Sequence, residues 1–109
     1  MNLISLPNRF NEQIDRIIHE PSRLFLMVYL YSVESADFTF LRTETGMTQG
    51  NLSSHLQKLE SAGYVKIDKQ FRRKRPLTMV RLTDGGRSAF AEYFRRMHLF
   101  FSDLYQWIE

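Results

Sequence analysis

At 109 residues with 43% apolar side chains, the chain can bury one compact core and is too hydrophobic to be disordered. It contains no cysteine, which excludes a disulfide framework, a thiolate metal site and a cysteine nucleophile. The formal net charge of +3 names no partner by itself, so the information lies in where the charges fall.

Seven of the Lys and Arg residues lie between positions 66 and 81: Lys66, Lys69, Arg72, Arg73, Lys74, Arg75 and Arg81. Asp68 is the one acid among them, and the rest of the chain is net acidic. A basic patch on a slightly acidic body is the footprint of a protein that meets phosphates on one face, although a solvated hairpin would carry the same charge. The longest apolar run, Leu24 to Tyr31, is far short of the roughly 20 residues that span a bilayer. Met1 to Pro7 has neither a basic nor a long apolar segment of the signal-peptide kind. A cytoplasmic protein with no membrane partner is expected.

In chain order, residues 9–19 place Phe10, Ile14, Ile17 and Ile18 at helical spacing, which predicts an amphipathic N-terminal helix. Pro21 suits the first turn of a second helix, and Leu24 to Tyr31 is apolar nearly all round, as a buried central helix would be. Phe38 and Phe40 flank Thr39 in the manner of a short strand followed by a helix cap. The next helix is short, because Gly46 suits the left-handed position that ends one. Thr48 then caps a helix over 48–62 with Leu52, Leu56 and Leu59 on one face, and Gly63 stops it. Residues 64–68 and 79–82 read as two strands of a hairpin, the wing, spanning about 66–82. A last helix runs from about 84 to 108, with Phe90, Tyr93, Phe94, Met97, Phe101, Leu104, Tyr105 and Ile108 along one stripe.

This order predicts a mainly α fold with a small β-hairpin (α+β), a winged helix-turn-helix filling residues 1–109 as one domain. Its core is 21–83, flanked by N- and C-terminal dimerisation helices over 9–19 and 84–108. The exposed face of the 48–62 helix is small and polar (Gly50, Ser53, Ser54, Ser61), where a helix built only for solubility carries Glu and Lys. Small side chains permit close approach to phosphates, and Gln49, Asn51 and Gln57 can bond base edges in a major groove. Lys58 flanks this face. On the wing, Lys69, Arg72, Arg73, Lys74 and Arg75 surround Phe71, which is expected to pack the wing's base in preference to stacking on a nucleic-acid base. These cations suit phosphate contact and a narrow minor groove; the plain alternative is a charged tip that protects a sheet edge.

The eight-residue C-terminal stripe exceeds what one small domain covers, so Phe90, Phe94, Met97, Phe101, Leu104 and Ile108, with Phe10 and Ile14, are expected at a homodimer interface. His19, His55 and His98 have no metal-ligand spacing, and no phosphate loop, nucleophile elbow or carboxylate pair is present. No metal, cofactor or enzymatic activity is expected.

The runs PSRLFLMVYL, DFTFLRTETGMTQGNLSSHLQKLESAGYVKI and KRPLTMVRLTDGGRSAF, within about residues 17–97, resemble small single-domain winged-helix transcriptional regulators related to the MarR and ArsR groups. The resemblance implies sequence-specific binding of double-stranded DNA as a homodimer. Thr48, Gln49, Gly50, Asn51, Ser53 and Ser54 would then face the major groove, and Arg72 to Arg75 would lie on the wing. Such wings usually carry a glycine near the tip, and this one does not, so its turn is made by other residues or loosens into a longer loop. A winged-helix protein-interaction module is the alternative reading, and an effector-gated sensor is an extension of the first. No residue names an effector.

Overall fold

The computed structural model describes residues 14–108, and its elements follow from local chemistry that can be traced cap by cap. Helix α1 (Pro21–Tyr31) starts with Pro21 in its first turn. Its cap is Glu20, whose carboxylate accepts the Arg23 backbone N–H at 2.8 Å. Burial alone would raise the Glu20 carboxyl, but the Arg23 and Ser22 backbone N–H groups outweigh it and leave the group below its usual value. Arg23, Leu26, Met27 and Leu30 are buried, whereas Phe25 (47%) and Val28 (50%) remain exposed. The all-round burial expected of this helix therefore does not occur, because the body covers only the stripe at i, i+3, i+4 and i+7.

Residues 14–20 form turns, and the N-terminal helix expected over 9–19 is absent from the part described; residues 9–13, Phe10 among them, lie outside the described residues. The reason is Asp15, whose carboxylate accepts the backbone N–H groups of Ile17 (2.9 Å) and Ile18 (3.1 Å) and so competes with helical bonding. Pro21 also forces Glu20 into extended backbone. The turn is tied down by two tyrosines. Tyr64 donates its hydroxyl to Asp15, and the Tyr93 hydroxyl meets His19 Nδ1 at 2.8 Å. Burial, followed by the bond to Asp15, pushes the Tyr64 phenol up to about 12.

Strand β1 (Ala36–Asp37) precedes helix α2 (Phe38–Thr45). The short strand is thus two residues earlier than expected, and Phe38 and Phe40 belong to the helix. Asp37 decides this, its carboxylate capping the helix through the Thr39 N–H at 3.0 Å. Gly46 ends α2 at φ +69°, as anticipated. Helix α3 (Gln49–Ser61) is capped by Thr48, which accepts the Asn51 N–H at 3.1 Å, and it buries Leu52, Leu56 and Leu59.

Strands β2 (Val65–Arg72) and β3 (Arg75–Leu82) pair in register from Val65↔Leu82 to Arg72↔Arg75. β1 joins the far edge of β3, giving an antiparallel sheet of order β1-β3-β2 instead of a lone hairpin. Helix α4 (Asp84–Ile108) leaves β3 at a tight corner. Thr83 donates its hydroxyl to Gly63 O at 2.6 Å and accepts the Gly86 N–H at 2.9 Å. A Cβ on Gly86 would lie 2.0 Å from Tyr64 O, so only glycine lets the helix seat there. Arg87 then reaches back to the end of α1, donating to Tyr31 O at 3.2 Å with its guanidinium 5.3 Å from the Tyr31 ring centre.

The core joins all these elements: Ile14 and Ile18 from the turn, Leu26, Met27 and Leu30, Leu41, the three leucines of α3, Val65, Val80, Leu82, and Tyr93 from α4. After Met97 no described residue of α4 is buried, although the helix continues to Ile108.

Candidate nucleic-acid interface

The core holds α3 by its leucine face, so its opposite face is presented outward by the same 3.6-residue repeat. Gln49, Gly50, Asn51, Ser54, Gln57 and Lys58 are exposed, and Ser53 is half-buried. Thr48 is exposed as well, with its hydroxyl engaged in the cap. Helical spacing divides these residues. Gln49, Ser53 and Gln57 line a groove of about 290 Å³ whose far wall is Ile67, Lys69 and Thr78 of the sheet. Asn51, Ser54 and Lys58 fall on the outer side of the helix.

The structure thus brings Lys69 to the α3 groove and adds Thr78 and Phe38, which sequence reasoning had not singled out as site residues. Thr78 was accessible to it: it stands two residues before buried Val80 and so shares its face of the sheet.

The wing cations are not one cluster. Strand alternation puts Lys69 and Phe71 on the groove side, and Arg72 on the outer face with Asp68, Gln70 and Arg81, where they line a shallow hollow. Arg72 faces Arg75 directly across the ladder, a like-charge pair that opposes pairing. Arg73 and Lys74 form the tip itself, a two-residue loop with φ of +53° and +66°. That is the signature of the tight hairpin turn normally given to Asn-Gly, built here from two long cations. The missing wing glycine therefore causes no longer loop. Among the described residues, Arg72, Arg73, Lys74 and Arg75 form no ion pair.

Phe71 does not pack the wing's base as expected. It lies at the far end of the wing, 79% exposed and paired across from Pro76.

Behind α3, a polar seat fixes the helix. Arg23 is buried, donating Nε to Ile17 O at 2.6 Å and Nη1 to His55 Nδ1 at 3.1 Å. Arginine has no acceptor, so it is the donor in this contact. The Glu20 carboxylate lies 3.6 Å from the same Nδ1. The sequence signal for this seat was a charged residue on the buried 23-26-27-30 stripe.

Of the expected interface residues on α4, Phe94, Phe101 and Ile108 are exposed and Leu104 is half-buried. Phe90 and Met97 pack partly against the core, with Phe90 5.1 Å from the Tyr31 ring. Ile14 belongs to the core, so its expected place in a subunit interface is corrected. Among the described residues, no group of three His, Asp or Glu side chains is disposed to hold a metal.

Three helices, a sheet whose hairpin forms a wing, and an exposed polar helix beside it define a winged-helix DNA-binding protein. The chain belongs to the winged helix DNA-binding domain family, whose pattern matches residues 22–101. It is 35% identical over 78 residues to an uncharacterized protein of Methanocaldococcus jannaschii, covering 72% of this chain and 85% of that one. The solved structure of a transcriptional regulator homologue from Pyrococcus horikoshii superposes with a TM-score of 0.81 at 28% identity, over 92% of this chain and 97% of that one. A MarR-family regulator from Silicibacter pomeroyi shares the fold, with a TM-score of 0.60 at 19% identity over 98% and 75%. Family and fold together support a DNA-binding regulator and point away from an enzyme.

Proposed function

We propose that the protein is a sequence-specific transcriptional regulator that binds duplex DNA as a two-fold homodimer. One observation carries this reading: Gln49, Ser53 and Gln57 of the small polar face of α3 share one groove with Lys69 of the wing, whose strand leads on to the cationic tip. In this arrangement α3 enters the major groove, where Gln49, Asn51 and Gln57 bond base edges. Thr48, Gly50, Ser53 and Ser54 let the helix approach the backbone closely. Lys58, Lys69, Arg72, Arg73, Lys74 and Arg75 neutralise phosphates on either side and release condensed counterions.

The dimer forms through α4. Phe94, Phe101 and Ile108 give it an exposed apolar stripe too large for a helix that meets only water, with Leu104, Phe90 and Met97 at its margin. A two-fold axis there presents two α3 helices to successive major grooves about one turn apart.

In-vitro selection from a random duplex library at near-physiological salt tests the reading. The expected product is a palindrome with half-sites about 10 base pairs apart. Enrichment of nothing beyond bulk DNA would overturn sequence specificity and favour the protein-interaction module. For the dimer, Phe101→Asp is expected to sediment as a monomer, and a variant that remains dimeric would place the interface elsewhere.

A further inference from the structure

Phe71 is the most exposed of the large apolar side chains on the described surface, at 79%, and burial elsewhere in the fold does not account for it. Its position is informative in three ways. Register places it and Pro76 opposite one another at the last pair before the Arg72–Arg75 pair that closes the tip. Alternation places both on the same face as Lys69 and Thr78, which wall the α3 groove. Four cations, Arg72, Arg73, Lys74 and Arg75, which form no ion pair among the described residues, lie between the two in the chain.

An apolar ring one rung from a cationic wing tip, on the side of the molecule that carries the small polar helix face, is complementary to one surface above others. Duplex DNA offers phosphate rails 6 Å or so apart across the minor groove, with apolar base faces between them. An anionic lipid surface would satisfy the cations and the ring, but it gives the neighbouring α3 groove nothing to read.

We infer that Phe71, backed by Pro76, is an apolar wedge that enters a minor-groove base step when the wing docks. This inference rests on the DNA-binding reading above and adds to it a second source of specificity. Opening a step costs unstacking energy, which is least at pyrimidine–purine steps. The wing therefore selects a TA or CA/TG step beside the bases that α3 reads, and it kinks the duplex there.

The test is parallel selection from a random 30-base-pair duplex library with wild type, Phe71→Ala and Phe71→Leu, followed by circular-permutation gels on the wild-type product. Wild type and Phe71→Leu are expected to enrich the same core positions and a flanking pyrimidine–purine step, with a bend in the range of about 20–90°. Phe71→Ala should keep the core positions, lose the flanking step and most of the bend, and bind the wild-type product about tenfold more weakly. Its salt dependence should not change, since no charge is removed. Identical flanking preferences and bends for wild type and Phe71→Ala would overturn the wedge alone. Failure of every protein to enrich any sequence would overturn the DNA reading, and the wedge with it. Vesicles of phosphatidylserine and phosphatidylcholine complete the test: if Phe71→Ala loses vesicle binding while its DNA selection matches wild type, the ring is a lipid anchor and the wedge is wrong.

Discussion

Replacing Arg73-Lys74 by Asn-Gly (R73N/K74G) should move stability and DNA affinity in opposite directions. Both residues sit at positive φ, +53° and +66°, where an L side chain costs about 1–2 kcal/mol relative to right-handed backbone. Asn tolerates this region and Gly is free in it, although Gly returns about 0.5–1 kcal/mol through chain entropy. The substitution also removes two charges beside the Arg72–Arg75 pair, easing its repulsion. A net gain of about 1–2 kcal/mol follows, or roughly 5–10 °C in Tm for a domain of this size. The same change removes two phosphate contacts, which lowers the slope of log K against log salt by about 1.8. Circular-dichroism melts read the first quantity, and anisotropy titrations between 50 and 200 mM salt read the second. Arg73→Ala with Lys74→Ala is the control, losing the charges but keeping the strained backbone, so it should match the slope change and show only the small part of the Tm gain that comes from eased repulsion. A Tm that stays level or falls in the Asn-Gly variant would refute the strained tip, and an unchanged slope would remove the tip from the DNA.

Glycine substitutions at two helical positions should differ in sign. Gly86→Ala forces a methyl against Tyr64 O and should cost about 3 kcal/mol, whereas Gly50→Ala meets nothing and should stabilise α3 by about 0.5–1 kcal/mol while weakening DNA binding. Equal urea midpoints for the two variants would contradict this. Gln49→Ala or Asn51→Ala should each relax base discrimination by about 1–3 kcal/mol in competition titrations, with no change in salt slope; unaltered discrimination would remove that residue from base reading. The Tyr64 phenol, raised to about 12 when folded against about 10 unfolded, keeps its proton longer in the native state. Its share of stability is intact below pH 10 and declines as pH rises towards 12. The urea-midpoint gap between wild type and Tyr64→Phe should therefore narrow between pH 9 and pH 11.5, and a constant gap would refute the assignment.

What could be read from the chain depended on whether one residue type decided the outcome locally. Thr48 as a cap, Gly46 and Gly63 at positive φ, and the leucine stripe of α3 were all legible, because each answers a single backbone requirement. The turn at 14–20 was not, because Asp15 outcompetes a helical pattern that its isoleucines also satisfy. β1 was misplaced since two residues carry no measurable period, and the cap at Asp37 claimed Phe38 for the helix. For the candidate interface, residue types on α3 were legible, but the division of the wing cations between two faces and a tip depends on a register that only pairing reveals. Phe71 was misjudged for the same reason: hydrophobicity does not say how far along a hairpin the core extends.

The last three turns of α4 turn a count of residues into a distance. Positions 98–108, none of them fully buried, continue the helix by about 16 Å. In a dimer joined through this segment the helix is a ruler between the two copies of α3. One residue inserted after Met97 would shift the partner by about 1.5 Å and turn it by about 100°, taking the apolar stripe off its mate. Seven would restore the facing and add about 10 Å. Relatives of different helix length should accordingly read half-sites of different separation, with no change in the residues that touch DNA.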